Sequence, residues 1–296
     1  RVKRFQLRST ARFHPNFSLN LQNQVWRKTS FTPNVKVLNS SNDGLIIDIG
    51  DAIDWCRINA SADVISISIG DKQNHPGASA CPTLIDNSIN DAYNVNIPII
   101  VASGNEQYIT GMNYPACSPN VISVGATTKS DDIATFTNRP VDLDLLAPGQ
   151  SIISTRWKAN QLTQGCTALN NEFMICSGTS QAAPHVAGAV ALLLEREPSL
   201  TPAQIRQKLR DTAKNISSWK RIDVLEAINS LCTCTAWSAG SCGAAGGCST
   251  NERKYTRTCS PSACDVESEC RPDLSCSPSG SSGAEITVCA ADVIIL

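Results

Sequence analysis

The chain predicts an α/β fold with a doubly wound, mostly parallel sheet and helices on both faces, followed by a small disulfide-rich β module. Three observations carry this. Between residues 35 and 231, short β-branched runs alternate with stretches of helical apolar spacing, the pattern of strands joined by crossover helices. Ile97 to Val101 is apolar throughout, and Val121 to Val124 is apolar but for Ser123, so both read as buried strands. Nine of the fourteen cysteines crowd into Cys232 to Cys289, where large apolar residues are scarce, so order there must come from bridges rather than a core. A length of 296 residues accommodates one large core and one small module.

The elements follow in order. Residues 1–34 show neither a helical nor a strand period. They hold seven Lys or Arg and no acidic residue, leaving 18 basic against 26 acidic residues in the remainder. Val35 to Leu38 reads as a strand and Asn39 to Gly44 as a polar turn. Leu45 to Ala60 carries Leu45, Ile49, Ile53 and Cys56 at helical spacing. Val64 to Ile69 is a strand that stops at Gly70. Thr83 to Asn96 reads as a helix, and Ile97 to Val101 and Val121 to Val124 as strands. Ala182 to Leu194 reads as a buried helix with Pro184 in its first turn. Thr201 caps a helix running to Thr212, with Pro202 at its first position. Asp223 to Leu231 is a last short helix.

Two residues carry candidate chemistry. Ser180 stands at the N-terminus of the buried helix, where unpaired N–H groups and the helix dipole favour negative charge on whatever the serine attacks. Gly178, Ala182, Ala183, Ala187 and Gly188 let the helix pack closely and leave the serine reachable. The plain alternative is a serine capping a core helix. Asn105 follows a buried strand and the tight Ser103-Gly104 turn, where its amide can donate to a developing oxyanion or merely satisfy the turn.

Gly178-Thr179-Ser180-Gln181-Ala182-Ala183-Pro184-His185-Val186-Ala187-Gly188 resembles, over eleven unbroken positions, the nucleophile motif of the subtilisin-like serine proteases. Further landmarks match in order: Val35 to Leu38, Asp63 to Gly70, Ser103-Gly104-Asn105-Glu106, Tyr114-Pro115-Ala116, Val121 to Ala126, Phe136-Thr137-Asn138, Leu146 to Gly149 and Ser151 to Ser154. The resemblance covers roughly residues 34–230 and puts the serine at the carboxyl edge of the sheet. It implies a secreted or cell-surface endopeptidase acting on polypeptides through an acyl-enzyme on Ser180, with Asn105 and the Ser180 N–H binding the oxyanion. It implies that the backbone of Ser68, Ile69 and Gly70 pairs with the substrate chain, and that Ala102, Ser103 and Gly104 pair with it from the other side of the specificity pocket. Plain strand ends are the alternative for both segments. Calcium is a candidate cofactor by the same resemblance, without a position on this chain, and no metal ligand is assigned.

The triad is where the chain departs from the family. A serine needs a base, and the base an orienting acid. The family supplies them from an Asp-x-Gly turn and a His-Gly-Thr helix start upstream of the segment matching Val35. The chain has three histidines. His14 and His75 each precede proline, and His185 lies five residues past Ser180 on the same helix, facing elsewhere. No Asp precedes Asp43. Asn23 to Thr32, back-translated and read two nucleotides on, permits the family's Gly-Val-Ala to Leu-Tyr-Ala segment. In the same frame Ser9 to Arg12 permits His-Gly-Thr. The expectation is a frameshifted or truncated start, which explains the basic head without nucleic acid or a membrane surface as partner. A catalytically dead peptide-binding and adhesion protein, or a split chain, are the alternatives.

Fourteen cysteines point to an oxidising, extracellular setting. Cys166–Cys176 and Cys81–Cys117 are the expected bridges before residue 232, with Cys56 free. Residues 1–34 form the non-matching head, 35–231 the partial catalytic domain, 232–277 the Cys-rich module, and 278–296 a Ser/Gly linker and the start of something further. Trp237-Ser238, Cys242, Cys248 and Arg253-x-Tyr255-x-Arg257-x-Cys259 resemble a thrombospondin type-1 repeat, whose ladder of Arg and aromatic side chains implies contact with a surface or glycans. A disulfide knot of another kind is the alternative. No apolar run reaches membrane-spanning length, and the chain, starting at Arg1, reads as a fragment or processed product.

Overall fold

A computed structural model of the chain describes residues 33–39, 43–156, 165–231, 233–234, 238–242, 252–257, 259–260 and 267–272. The expectations for residues 1–32, for most of the Cys-rich segment and for the tail lie outside these. The chain divides into two units, Arg1–Ser230 and Leu231–Leu296.

In the first unit, helix α1 (Ile46–Ile58) leads to strand β1 (Ile65–Ile67), then to α2 (Asp86–Asn94), β2 (Ile99–Ala102), β3 (Ile122–Thr127) and β4 (Leu145–Pro148). An antiparallel ribbon follows, of β5 (Ile152–Thr155), β6 (Cys166–Ala168) and β7 (Phe173–Cys176). Helix α3 (Thr179–Arg196) and α4 (Pro202–Asp211) precede a hairpin of β8 (Lys214–Ile216) and β9 (Trp219–Arg221), and α5 (Val224–Asn229) ends the unit. The main sheet has the order β1-β2-β3-β4-β9-β8 and is parallel except for β8.

Both faces are covered, because strand residues alternate between them. Ile99 and Val101 of β2 pack with Ile49 and Ile53 of α1 and Ile89 of α2 in one cluster. Ile100, on the opposite face, is fully buried on the side where α3 crosses β1 to β4. The buried stripe of α3 (Ala182, Ala183, Val186, Ala189, Val190, Leu193) follows helical spacing. Small side chains in its first turns bring the helix close to the strands, so the serine at its start is held at the carboxyl ends of the sheet.

The local chemistry is visible at several ends. Thr201 accepts from the Gln204 N–H at 3.3 Å while Gln204 Oε1 takes the Thr201 N–H at 2.9 Å, a capping box with Pro202 at the first position. Asp223 caps α5 by accepting from the Glu226 N–H at 3.2 Å, a bond that holds its carboxyl below the usual carboxylate range. Cys81–Cys117 and Cys166–Cys176 are bridged, with Cα–Cα distances of 5.6 and 4.1 Å, and Cys56 is free, its thiol pushed up by burial.

Two expectations need correction. Val35 to Leu38 forms no strand: its backbone joins no ladder among the described residues, and Val37 packs against the core cluster instead. An apolar β-branched run becomes a strand only beside a partner. Pro184 does not sit in the first turn of its helix, because α3 begins at Thr179; the reason appears at the site below.

In the second unit, β10 (Thr233–Cys234) pairs with β13 (Cys259–Ser260). Strands β11 (Ser238–Cys242), β12 (Glu252–Arg257) and β14 (Glu267–Pro272) form an antiparallel sheet. Between β12 and β14, Arg253 lies opposite Arg271, Tyr255 opposite Glu269 and Arg257 opposite Glu267. Cys270 is in a disulfide. Among the described residues no helix is long and apolar enough to cross a membrane.

Candidate active site

The approach to the serine is tied down residue by residue. Strand β7 ends at Cys176, bridged to Cys166 on β6. Ser177 Oγ then accepts from the Ser151 N–H at 2.9 Å, and the Gly178 N–H donates to the Gly149 carbonyl at 2.8 Å. Helix α3 starts at once. The Ser180 N–H, in its first turn, has no intrahelical acceptor.

Pro184 explains a contact at the serine. Within a helix its nitrogen would face the carbonyl of Ser180, four residues back, but proline has no N–H to give. That carbonyl accepts instead from Ser68 Oγ at 3.0 Å. The Ser180 hydroxyl in turn donates to the Ser68 carbonyl at 3.1 Å. The two residues, 112 apart in sequence, thus close a reciprocal pair at the end of β1. A polar group left orphaned by the proline is satisfied by Ser68, in the segment expected to pair with substrate.

Asn105 leaves the end of β2 through Ser103 and Gly104. Its Oδ1 accepts from the Thr179 N–H at 2.8 Å and from Thr179 Oγ1 at 3.1 Å. Both partners are donors here, so the amide orientation is fixed, and Nδ2 is left to donate elsewhere. Thr179 Oγ1 also accepts from the Gly104 N–H at 3.2 Å. Asn105, exposed, is therefore locked to the residue just before Ser180.

The structure brings Ser180, Asn105, Ser68 and the Ser103-Gly104 turn together. Ile69 and Gly70, half-buried, continue past the paired stretch of β1. Ser103 and Gly104 differ from the expectation that their backbone pairs with a substrate chain. The Ser103 N–H donates to Val124, and its carbonyl accepts from the Asn113 N–H and from Asn138 Nδ2. The Gly104 N–H goes to Thr179, and its carbonyl accepts from the Asn138 N–H. Each backbone group is used within the domain, and Ala102 is buried inside the sheet. The segment offers a ligand a wall.

Neither described histidine is bonded to the serine. His75 Nε2 lies 2.7 Å from Asp71 Oδ2, with Nδ1 3.2 Å from the Ala80 carbonyl, and His185 Nδ1 lies 2.8 Å from the Gln181 carbonyl. A backbone carbonyl holds the Ser180 proton, and it cannot act as a base at neutral pH. Among the described residues no three His, Cys, Asp or Glu cluster as metal ligands would.

Three residues of this site were not assigned roles from sequence: Thr179, Glu106 and Asn138. Glu106 Oε2 accepts from the Asn105 N–H at 2.9 Å and from Asn138 Nδ2 at 2.8 Å. Their signal was present, because Glu106 follows Asn105 and Asn138 closes the Phe136-Thr137-Asn138 landmark, but only the fold joins two segments 32 residues apart.

The Subtilase family model matches residues 28–232, starting inside the head set apart above. Subtilisin DY of Bacillus licheniformis is 35% identical over 185 residues, covering 62% of this chain and 60% of its own length. An extracellular protease of Xanthomonas campestris is 37% identical over 191 residues, covering 61% of this chain and 31% of its own. Subtilisin E of Bacillus subtilis is 37% identical over 182 residues, with 60% and 42% covered. A solved protease structure from Pseudoalteromonas arctica superposes with a TM-score of 0.54 at 25% identity, covering 63% of this chain and 59% of that one. The chain spans less than two thirds of the length of each of these relatives.

Proposed function

The chain belongs to the subtilase family, and from that premise we propose that it is the nucleophile-bearing part of a secreted serine endopeptidase. Ser180 Oγ gives its proton to a base and attacks the carbonyl of a peptide bond; the C–N bond then breaks, the amine leaves with that proton, and an acyl-enzyme remains. The oxyanion is met by Asn105 Nδ2 and the Ser180 N–H at the start of α3, and water then releases the acyl group. The backbone of Ser68, Ile69 and Gly70 pairs with the extended substrate, while Ala102, Ser103 and Gly104 wall the pocket beside it. The histidine base and its aspartate come from residues outside this sequence. The segment 232–277 is a separate module that contacts a surface or glycans.

The observation that carries this reading is the fixed amide of Asn105 beside Ser180: Thr179 takes its oxygen, which frees its nitrogen for a developing negative charge. A second reading, a peptide-binding protein without catalysis, is favoured by one fact, that the Ser180 proton is donated to a backbone carbonyl. Labelling with a fluorophosphonate probe tests the assignment. Slow labelling that Ser180→Ala abolishes is expected; labelling that survives the substitution removes Ser180 from the chemistry, and rapid labelling of the chain alone shows a base within it.

A further inference from the structure

We propose that Asn138 is the positioning residue of the oxyanion site, holding the loop 103–108 so that Asn105 meets the charge formed at Ser180; this rests on the roles given to Ser180 and Asn105 above. Asn105 is exposed, and its side chain is held by Thr179. What fixes the loop carrying it is Asn138, which is fully buried. Asn138 Oδ1 accepts from the Glu106 and Tyr108 N–H groups, each at 3.0 Å. Its Nδ2 faces the Ser103 carbonyl at 3.0 Å, Asn113 Oδ1 at 3.1 Å and Glu106 Oε2 at 2.8 Å. Its N–H donates to the Gly104 carbonyl at 3.0 Å, and its carbonyl accepts from Ser103 Oγ at 2.9 Å. One side chain and its own peptide groups thus grip residues 103, 104, 106 and 108, on both sides of Asn105.

The partner types leave no freedom in how this amide is turned. Glu106 and Tyr108 present N–H donors, whereas the Ser103 carbonyl and the Glu106 carboxylate only accept. Glu106 closes a second path: the oxygen that Asn138 binds also accepts the N–H of Asn105 itself. Removing Asn138 leaves these groups to find new partners, and the loop shifts by whatever that takes. A misplacement of about 1 Å at a reacting centre costs on the order of 100-fold in rate.

The test uses the slow hydrolysis of a peptidyl p-nitrophenyl ester by the whole chain, since an oxyanion site retains part of its rate enhancement without a base. Asn105→Ala is expected to lower kcat about 100-fold or more, and Asn138→Ala about 10- to 100-fold with KM little changed. The double variant is expected to be no slower than Asn105→Ala, and the Glu106 and Tyr108 amides to exchange faster in Asn138→Ala. An unchanged kcat, a loss confined to KM, or an equal loss in the Asn105→Ala background overturns the proposal. Should Asn138→Ala not fold, Glu106→Ala, at a half-exposed residue, decides: a several-fold kcat loss absent from the Asn105→Ala background supports it, and none overturns it. Turnover that survives Ser180→Ala overturns both this proposal and the reading beneath it, and is seen before Asn138 is touched.

Discussion

Gly104→Ala puts a methyl group into the knot that holds the oxyanion loop. At Gly104 φ is +108°, and a Cβ there would lie 2.2 Å from Asn138 Nδ2, 2.4 Å from Asn113 Nδ2 and 2.6 Å from Asn113 Cγ. Both asparagines are buried and hydrogen-bonded, so neither can swing away freely. The backbone strain alone costs about 1–3 kcal/mol. Displacing the two amides leaves buried groups unsatisfied, at about 1–3 kcal/mol each. For a domain of this size, a total near 6 kcal/mol lowers Tm by roughly 12–24 °C. Gly77→Ala is the control: φ is +75°, yet nothing lies within 4 Å of the added carbon, so its cost is strain alone, about 2 kcal/mol, and Tm falls by roughly 4–8 °C. Calorimetry of both variants measures the difference. Equal shifts would refute the knot around Gly104, because strain without a clash would then account for both.

Three further outcomes follow from single groups. Burial pushes the Tyr114 phenol up to about 12, whereas in the unfolded chain it ionises near 10; its contribution is complete below about pH 10 and lost as pH rises toward 12. Urea midpoints should fall over that window, and less steeply in Tyr114→Phe, although that variant is weaker at neutral pH for want of the hydroxyl that accepts the Ile85 N–H at 2.8 Å. The lowered Asp223 carboxyl contributes above its unfolded value near 4 and loses that contribution as pH falls through its folded value; Asp223→Ala should cost about 1 kcal/mol at pH 7 and less in acid. Gly188, inside α3 with open space around it, should gain about 0.5–1 kcal/mol on replacement by Ala, read as a higher urea midpoint.

Much of the α/β unit was legible in local signals. The cap at Thr201 needs only residues within one turn, α1 announces itself by period, and the central strands by their apolar runs. Boundaries moved by a few residues, as with Leu45 to Ala60 against Ile46–Ile58. The ribbon β5-β6-β7 and the hairpin β8-β9 were not legible, because strands of three or four residues are too short to show a period of two. Pro184 misled for a long-range reason. A proline usually marks a helix start, and here the cost of its interior position is offset by Ser68, over a hundred residues away. Ser180 and Asn105 could be picked out from their motifs. What orients Asn105 could not, since Thr179, Glu106 and Asn138 meet it only once the sheet is formed.

As proposed, Ser180 is a nucleophile in a prepared oxyanion site, with no base bonded to it among the described residues. Free imidazole can stand in for an absent histidine, so the rate of fluorophosphonate labelling at Ser180 should be measured against imidazole concentration at neutral pH. The basal rate is expected to be slow, to rise with imidazole and saturate, to fall with Asn105→Ala and to vanish with Ser180→Ala. A basal rate already fast and indifferent to imidazole, or labelling that persists in Ser180→Ala, would contradict this assignment.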